Sequence, residues 1–260
     1  MLKEPSLLGQ RVLITAGAGG IGLQTARGFL EAGSKVMVCD VDESALKIVH
    51  EQFPNIRAVR ADVCSEADVI SLFSEIDREF GGLDILINNA GVAGPTAPIE
   101  EVQLHDLLKT LHVNVVGQFL CAKHAVPRLR KGRSPAIVNL SSAAGNLGMP
   151  RRSVYSSSKW AVIGLTKSLA IELGGDGIRV NAVLPGAVDG PRIRAVISAK
   201  ANSTGKAVNE VAAAYEMQSS LGRMITAEEV ANTILFACSA SASATHGQAL
   251  VVDGHTQSLS

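Results

Sequence analysis

The sequence predicts an α/β fold: a doubly wound parallel sheet of seven strands with helices on both faces. Three observations predict it. Short β-branched runs alternate with longer amphipathic stretches along nearly the whole chain, which is the pattern of βαβ units. Several runs are apolar on both sides, as strands covered by helices on both faces must be. A glycine-rich turn joins the first run to the first amphipathic stretch. Taken in order, strands are expected at Arg11–Thr15, Lys35–Asp40, Ile56–Ala61, Leu83–Asn88, Ala136–Ser141, Arg179–Leu184 and Gln248–Val252. Helices are expected at Gly20–Ala32, Glu43–Gln52, Glu66–Phe80, Glu101–Arg130, Ser153–Leu173 and Ala227–Ala237. One stretch breaks the alternation. Gly190 to Leu221 reads as one or two helices inserted after the sixth strand, where α/β folds place substrate lids.

Composition bounds the function. The chain has 260 residues, enough for one large α/β domain spanning its full length. Lys plus Arg balances Asp plus Glu at 24 each, so no net field favours nucleic acid or an anionic membrane. The apolar runs are far too short to span a bilayer. The start, Met1-Leu2-Lys3-Glu4-Pro5, carries no apolar leader segment, and a cytoplasmic location is expected. Cys39, Cys64, Cys121 and Cys238 are scattered without a C-x-x-C pair, and the histidines form no cluster. Free thiols in a reducing compartment are expected, with neither disulfide nor metal site.

The turn after the first strand reads Thr15-Ala16-Gly17-Ala18-Gly19-Gly20-Ile21-Gly22 and opens directly into a helix. Glycines there allow a tight turn and let backbone N–H groups approach a pyrophosphate at the positive helix end. Gly17-x-Gly19-x-x-Gly22 in this strand–turn–helix setting predicts a bound dinucleotide. The second strand ends in Asp40, eighteen residues beyond Gly22. Its carboxylate suits the two hydroxyls of an adenosine ribose and repels a 2′-phosphate, so the cofactor expected is NAD. A role for Asp40 as helix cap is the plainer alternative, one that Asp42 fills better.

Ser153-Val154-Tyr155-Ser156-Ser157-Ser158-Lys159 begins a helix. At i and i+4, Tyr155 and Lys159 share a face, and a neighbouring ammonium favours the phenolate. On its own the pair is a weak signal, since any amphipathic helix can carry it. Ser142 follows the fifth strand, thirteen residues before the tyrosine, where its hydroxyl can polarise a reacting carbonyl. Asn114 lies in an apolar helical run, and a buried amide there needs a partner.

These motifs resemble the short-chain dehydrogenase/reductase family almost end to end. The resemblance rests on the glycine loop, Asp62-Val63, Asn88-Asn89-Ala90-Gly91, Asn114, Asn139-Leu140-Ser141-Ser142, Tyr155-x-x-x-Lys159, Asn181, Pro185-Gly186 and Asp253-Gly254. It implies a Rossmann-like single NAD-binding catalytic domain. In it Tyr155 is the acid/base and Ser142, not Ser141, holds the substrate oxygen. Lys159 holds the nicotinamide ribose and Asn114 anchors a water of the proton relay. It also assigns cofactor contacts to Gly17, Gly19, Gly20, Ile21, Gly22, Asp40, Asp62, Val63, Asn89, Ala90, Gly91, Tyr155, Lys159, Pro185, Gly186 and Val188. Read without the resemblance, Asp62 is a turn former, and Asn88 ties its strand to a neighbouring loop.

Three positions depart from the family pattern. Ala16 replaces its first glycine, with Gly17 expected to supply the lost freedom. Gly190 stands where a threonine often holds the carboxamide, leaving that task to the backbone at Val188. Asp253-Gly254-His255 replaces Asp-Gly-Gly. The expected function is hydride transfer between NAD(H) and a secondary alcohol or ketone by a homotetramer packed through the Glu101–Arg130 and Ser153–Leu173 helices and the last strand. The alternative is an NAD(H)-binding redox-sensing regulator or scaffold without turnover. In the Gly190–Leu221 segment Arg192 and Arg194 point to different sides of a helix, so at most one is expected to face the pocket.

Overall fold

The computed structural model describes residues 5–259; the first four residues, read above for a leader, lie outside them. Seven parallel strands form one sheet: β1 (Arg11–Thr15), β2 (Lys35–Asp40), β3 (Ile56–Arg60), β4 (Ile85–Asn88), β5 (Ala136–Leu140), β6 (Arg179–Pro185) and β7 (Ala249–Val252). Their order is β3-β2-β1-β4-β5-β6-β7. The sequence therefore runs outward from β1 in one direction and then from β4 in the other. The crevice left at the β1/β4 switch, beyond the carboxyl ends of the strands, is where such sheets bind ligands.

Helices cover both faces. On one side, α1 (Gly20–Glu31), α2 (Glu43–Gln52) and α9 (Ala227–Cys238) pack over Val12, Ile14, Val36, Val38, Ile85 and Ile87. On the other, α3 (Glu66–Phe80), α5 (Gly117–Leu129) and α6 (Ser153–Leu173) pack over Leu13, Met37, Cys39 and Leu86. Alternate residues of β1 thus enter opposite cores, as the period of two demands. β1 and β2 fall at their expected bounds, and the other five strands differ at one end by a residue or two, the ordinary fraying of terminal hydrogen bonds.

The long helix expected at Glu101–Arg130 is a larger difference. It is a single 3-10 turn at Ile99–Glu101, then α4 (Leu104–Leu111), a π-helical turn at His112–Val116, and α5. In the π turn the Gly117 N–H reaches back to the His112 carbonyl. The apolar periodicity runs through it unbroken, so nothing in the hydrophobic pattern marks it. Gly117 itself permits the close approach of α5 to Val63, since a Cβ there would lie 2.7 Å from Val63 Cγ2.

The segment after β6 folds into α7 (Pro191–Thr204) and α8 (Val208–Met217). These two helices have a small core of their own: Ile197, Ala201, Val211 and Tyr215, joined by Met149 and Met224. Among the described residues no helix is long and apolar enough to cross a membrane.

Candidate functional site

A cavity of about 440 Å³ opens at the carboxyl ends of the strands. Gly19, Gly20, Ile21, Asp40, Asn89, Gly91, Ser142, Tyr155, Lys159, Pro185, Gly186 and Val188 all line it, although they come from six separate stretches of sequence. Gly17, Gly22, Asp62, Val63, Ala90 and Asn114 are not among its lining residues.

The floor is a braced glycine loop. Asn89 Nδ2 donates to the carbonyls of Thr15 (2.9 Å) and Ala16 (3.0 Å). In return, the Thr15 hydroxyl accepts the N–H groups of Asn89 (3.0 Å) and Ala90 (2.9 Å). The ends of β1 and β4 are therefore locked side by side, and Thr15 is a brace that motif reading passed over. Ala16 itself adopts φ 49°, a left-handed conformation that costs a non-glycine residue. The expectation that Gly17 would supply this freedom is corrected. Gly17 is needed for space, because its Cβ would lie 2.5 Å from Val38 Cβ. The other departure behaves likewise: His255 takes φ 63°, with its Nδ1 2.8 Å from Ser220 Oγ.

Asp40 turns its carboxylate toward this loop, accepting the N–H of Ala18 at 3.2 Å and that of Val41 at 2.8 Å. Capping of α2 falls to Asp42, whose side chain accepts the Ala45 N–H at 3.0 Å. Asp62 accepts the Cys64 N–H at 2.9 Å and so forms a turn, while Val63 is buried against Gly117.

Tyr155 and Lys159 project from the first turns of α6, with the Lys159 ammonium 5.8 Å from the Tyr155 ring centre. Lys159 is 3% exposed, and its Nζ donates to the Leu140 carbonyl at 2.8 Å. Burial pushes its pKa down to about 8, against the pull of Tyr155 and with the repulsion of Arg192. For Tyr155, burial favours the neutral phenol. Lys159, Arg192, the Ser142 hydroxyl and Arg152 outweigh it and hold the phenol below its ordinary value. Electrostatics thus poise both groups nearer neutrality than free side chains would be. The two serines separate cleanly. Ser141 is buried and donates to the Lys159 carbonyl at 2.8 Å, whereas Ser142 lines the cavity and its Oγ accepts the Ala144 N–H.

Asn114, carried by the π turn, is fully buried. Its Oδ1 accepts the Val92 N–H (2.7 Å), and its Nδ2 donates to the Val92 carbonyl (3.0 Å) and to Ser158 Oγ (2.9 Å). The partner its burial requires is therefore the Val92 backbone together with Ser158. Asn88 bonds Asn139 Oδ1 (2.9 Å) and the Gln118 carbonyl (3.3 Å); it ties β4 to β5 and α5. On the far wall, Gly186 lies so close to Asp253 that a Cβ would meet its Cβ at 2.7 Å. Val188 bridges Ile225 through the Ala187 carbonyl and the Asp189 N–H, a pairing that leaves its own N–H unused.

Of the two candidate arginines after β6, Arg192 lines the cavity and Arg194 pairs with Asp189 at 2.8 Å. Sequence reasoning missed Arg152 and Tyr215, which also line it. Spacing offered one signal: Arg152 stands three residues before Tyr155, on the face Tyr155 shares with Lys159.

A glycine cradle, an acidic residue at the end of β2 and a phenol–ammonium pair together fit a dinucleotide. The fit is steric as well as chemical. A Cβ at Gly22 would come within 2.3 Å of the Ala16 carbonyl, and one at Gly91 within 3.2 Å of Asn114 Oδ1, so the loop closes tightly only without side chains. Known proteins agree in sequence and in shape. A family model described as enoyl-(acyl carrier protein) reductase matches residues 16–255. The chain is 36% identical to cis-4-hydroxycyclohexanecarboxylate dehydrogenase of Sinomonas cyclohexanicum over 93% of this chain and 94% of that one. It is 34% identical to L-fucose dehydrogenase of Bos taurus, over 95% and 89% of the two chains. A solved structure of an actinorhodin polyketide ketoreductase variant with NADPH superposes with TM-score 0.90 at 30% identity, covering 95% of this chain and 96% of that one.

Proposed function

Given that the chain belongs to the short-chain dehydrogenase/reductase family, we propose that it is an NAD-dependent secondary-alcohol dehydrogenase and ketone reductase. The observation that carries this reading is the Tyr155–Lys159 pair, with Ser142, at the wall of the cavity floored by the glycine loop. The two relatives named as dehydrogenases of a hydroxycyclohexanecarboxylate and of L-fucose support an alcohol substrate carried on a ring.

NAD, when bound, supplies the hydride acceptor at its nicotinamide ring. Every other part belongs to this chain. Ser142 holds the substrate oxygen beside Tyr155. The Tyr155 phenolate takes the hydroxyl proton as the carbinol carbon is oxidised, and the phenol returns it in reduction. Lys159 keeps the phenol acidic and holds the ribose hydroxyls. The Asn114 side chain is consumed by Val92 and Ser158, so its part in a relay falls to the backbone that the π turn reshapes. The Val188 N–H replaces the missing threonine for the carboxamide. The choice of NAD over NADP rests on Asp40. Its carboxylate, near a 2′-phosphate at ~4 Å and an effective dielectric near 20, would cost up to about 4 kcal/mol per unit charge. The α7–α8 pair acts as the substrate lid over this single catalytic domain.

A panel of secondary alcohols with NAD and with NADP, followed by reduced-nicotinamide absorbance, tests the reading. Cofactor binding without turnover of any alcohol or ketone would instead favour a regulator. We further propose a cytoplasmic homotetramer. Leu104, Leu108, Phe119, Trp160 and Ile171 on α4–α6 are exposed, the last at 86%, as is Val251 on β7, and exposed apolar side chains on these elements support packing of subunits through them. Light scattering at working concentration reads the assembly directly.

A further inference from the structure

Arg152 is the least expected residue in the cavity. It is 4% exposed, and its side chain makes one hydrogen bond among the described residues, NH2 to the Ala93 carbonyl at 2.8 Å. Its Nε is buried with no partner among the described residues. The guanidinium carbon lies 4.9 Å from the Tyr155 ring centre, next to the group proposed to exchange the substrate proton. A buried guanidinium is costly unless an anion or several acceptors satisfy it. No carboxylate among the described residues pairs with it.

The surroundings add positive charge rather than cancel it. Arg192 lines the same cavity and lies near enough to Arg152 to lower its pKa, after the larger effect of burial. The hydroxyl of Tyr215, which also lines the cavity, is buried without a partner among the described residues. Asp189, the carboxylate that lines this end of the cavity, is held by Arg194. The turn that delivers Arg152 is held in a costly shape: Arg151 has φ 61° and its carbonyl accepts the Ala97 N–H. Strained backbone of this kind persists where the surroundings fix it.

We propose that Arg152, assisted by Arg192, is a specificity-determining residue that grips a carboxylate on the substrate, making the preferred substrates hydroxy acids and their keto acids. This rests on the dehydrogenase reading above and narrows it. A carboxylate supplies charged acceptors for the idle guanidinium nitrogens and for the Tyr215 hydroxyl. It also fixes which end of the molecule faces Tyr155. A phosphate of the cofactor is the other anion the cavity can hold. Arg152 is assigned to the substrate because it packs on the Tyr155 ring and shares the cavity with Tyr215, and none of its contacts is to the glycine loop.

The test compares 4-hydroxycyclohexanecarboxylate and 3-hydroxybutyrate with their primary amides, as substrates of the wild-type enzyme, Arg152→Gln and Arg192→Gln. Wild type should prefer each acid to its amide in kcat/KM by at least about 10-fold, as charge-assisted hydrogen bonds require. In Arg152→Gln that preference should collapse, chiefly through KM for the acid. Arg152→Lys should restore part of it. Equal losses for acid and amide would mean that Arg152 only braces the Ala93 loop, and would overturn the proposal. A rise confined to the KM of the cofactor would overturn it too, by assigning the anion to a phosphate. Should Arg152→Gln fail to fold, Arg192→Gln and wild type still decide, since a wild type indifferent to the carboxylate refutes the idea. If wild type oxidises neither member of any pair nor any alcohol of the wider panel, the dehydrogenase reading fails separately. Calorimetry of cyclohexanecarboxylate with the NADH-loaded protein then judges the anion site alone, with binding supporting it and no binding overturning it.

Discussion

Replacing Gly22 by alanine probes the glycine loop where it has least room. The added Cβ would lie 2.3 Å from the Ala16 carbonyl oxygen, 2.7 Å from Asn89 Nδ2 and 2.9 Å from Gly17 Cα. Two of these are backbone atoms, and the third is held by hydrogen bonds of 2.9 and 3.0 Å to the Thr15 and Ala16 carbonyls. No flexible side-chain end can step aside, so reaching carbon contact distances of roughly 3.5 Å requires the loop to shift by about 1 Å. Overpacking of this kind costs about 1–3 kcal/mol. Each Asn89 bond lost in the shift adds about 1 kcal/mol. At about 2–4 °C per kcal/mol for a domain of this size, Tm should fall by roughly 5–15 °C. The same displacement moves the loop N–H groups, and the Kd for NADH should rise by at least about 10-fold, or ~1.4 kcal/mol. Gly19→Ala is the internal control. It has nothing within 4 Å of its built Cβ and an extended φ of −161°, so it should melt close to wild type. Thermal unfolding and fluorescence titration read both quantities. A Gly22→Ala protein melting within about 1 °C of wild type, with unchanged NADH affinity, would refute the steric account of the loop.

Two further outcomes follow from the charges around the cavity. Asp40→Ala should weaken NAD by about 1.5–3 kcal/mol for a good charged contact and improve NADP, narrowing the ratio of their kcat/KM values; a wild type that already prefers NADP would contradict the role of Asp40. Alcohol oxidation needs the tyrosine ionised, so its rate should fall as pH drops below the depressed Tyr155 value. Lys159→Met removes the largest charge that lowers this value and should move that acidic limb to higher pH, and a limb left in place would uncouple Lys159 from the phenol.

The parts of this protein legible in its sequence are those governed by local pattern. The helices Glu43–Gln52, Glu66–Phe80 and Ser153–Leu173 fall at their expected bounds. Asp42 and Ser65 cap the first two by accepting the N–H of the third helical residue, and a cap is a local signal. The π turn at His112–Val116 was not legible, because an inserted residue leaves the apolar pattern nearly intact. In the cavity, glycine spacing exposed the loop, yet the brace that holds it joins Thr15 to Asn89, 74 residues apart. Arg152 was missed for the same reason. Its hydrogen bond to Ala93 spans 59 residues, and burial of a guanidinium is a property of the packed fold, not of its neighbours in sequence.

The central claim is that Tyr155 exchanges the substrate proton, and Tyr155→Phe isolates that act by keeping the ring and deleting the hydroxyl. The decisive measurement pairs kcat for a turned-over secondary alcohol with the Kd for NADH in this variant and in wild type. A fall in kcat of at least about 100-fold, with NADH affinity held within a few-fold, is the expected result. Near-normal turnover by the phenylalanine variant would contradict it and assign the proton to another group.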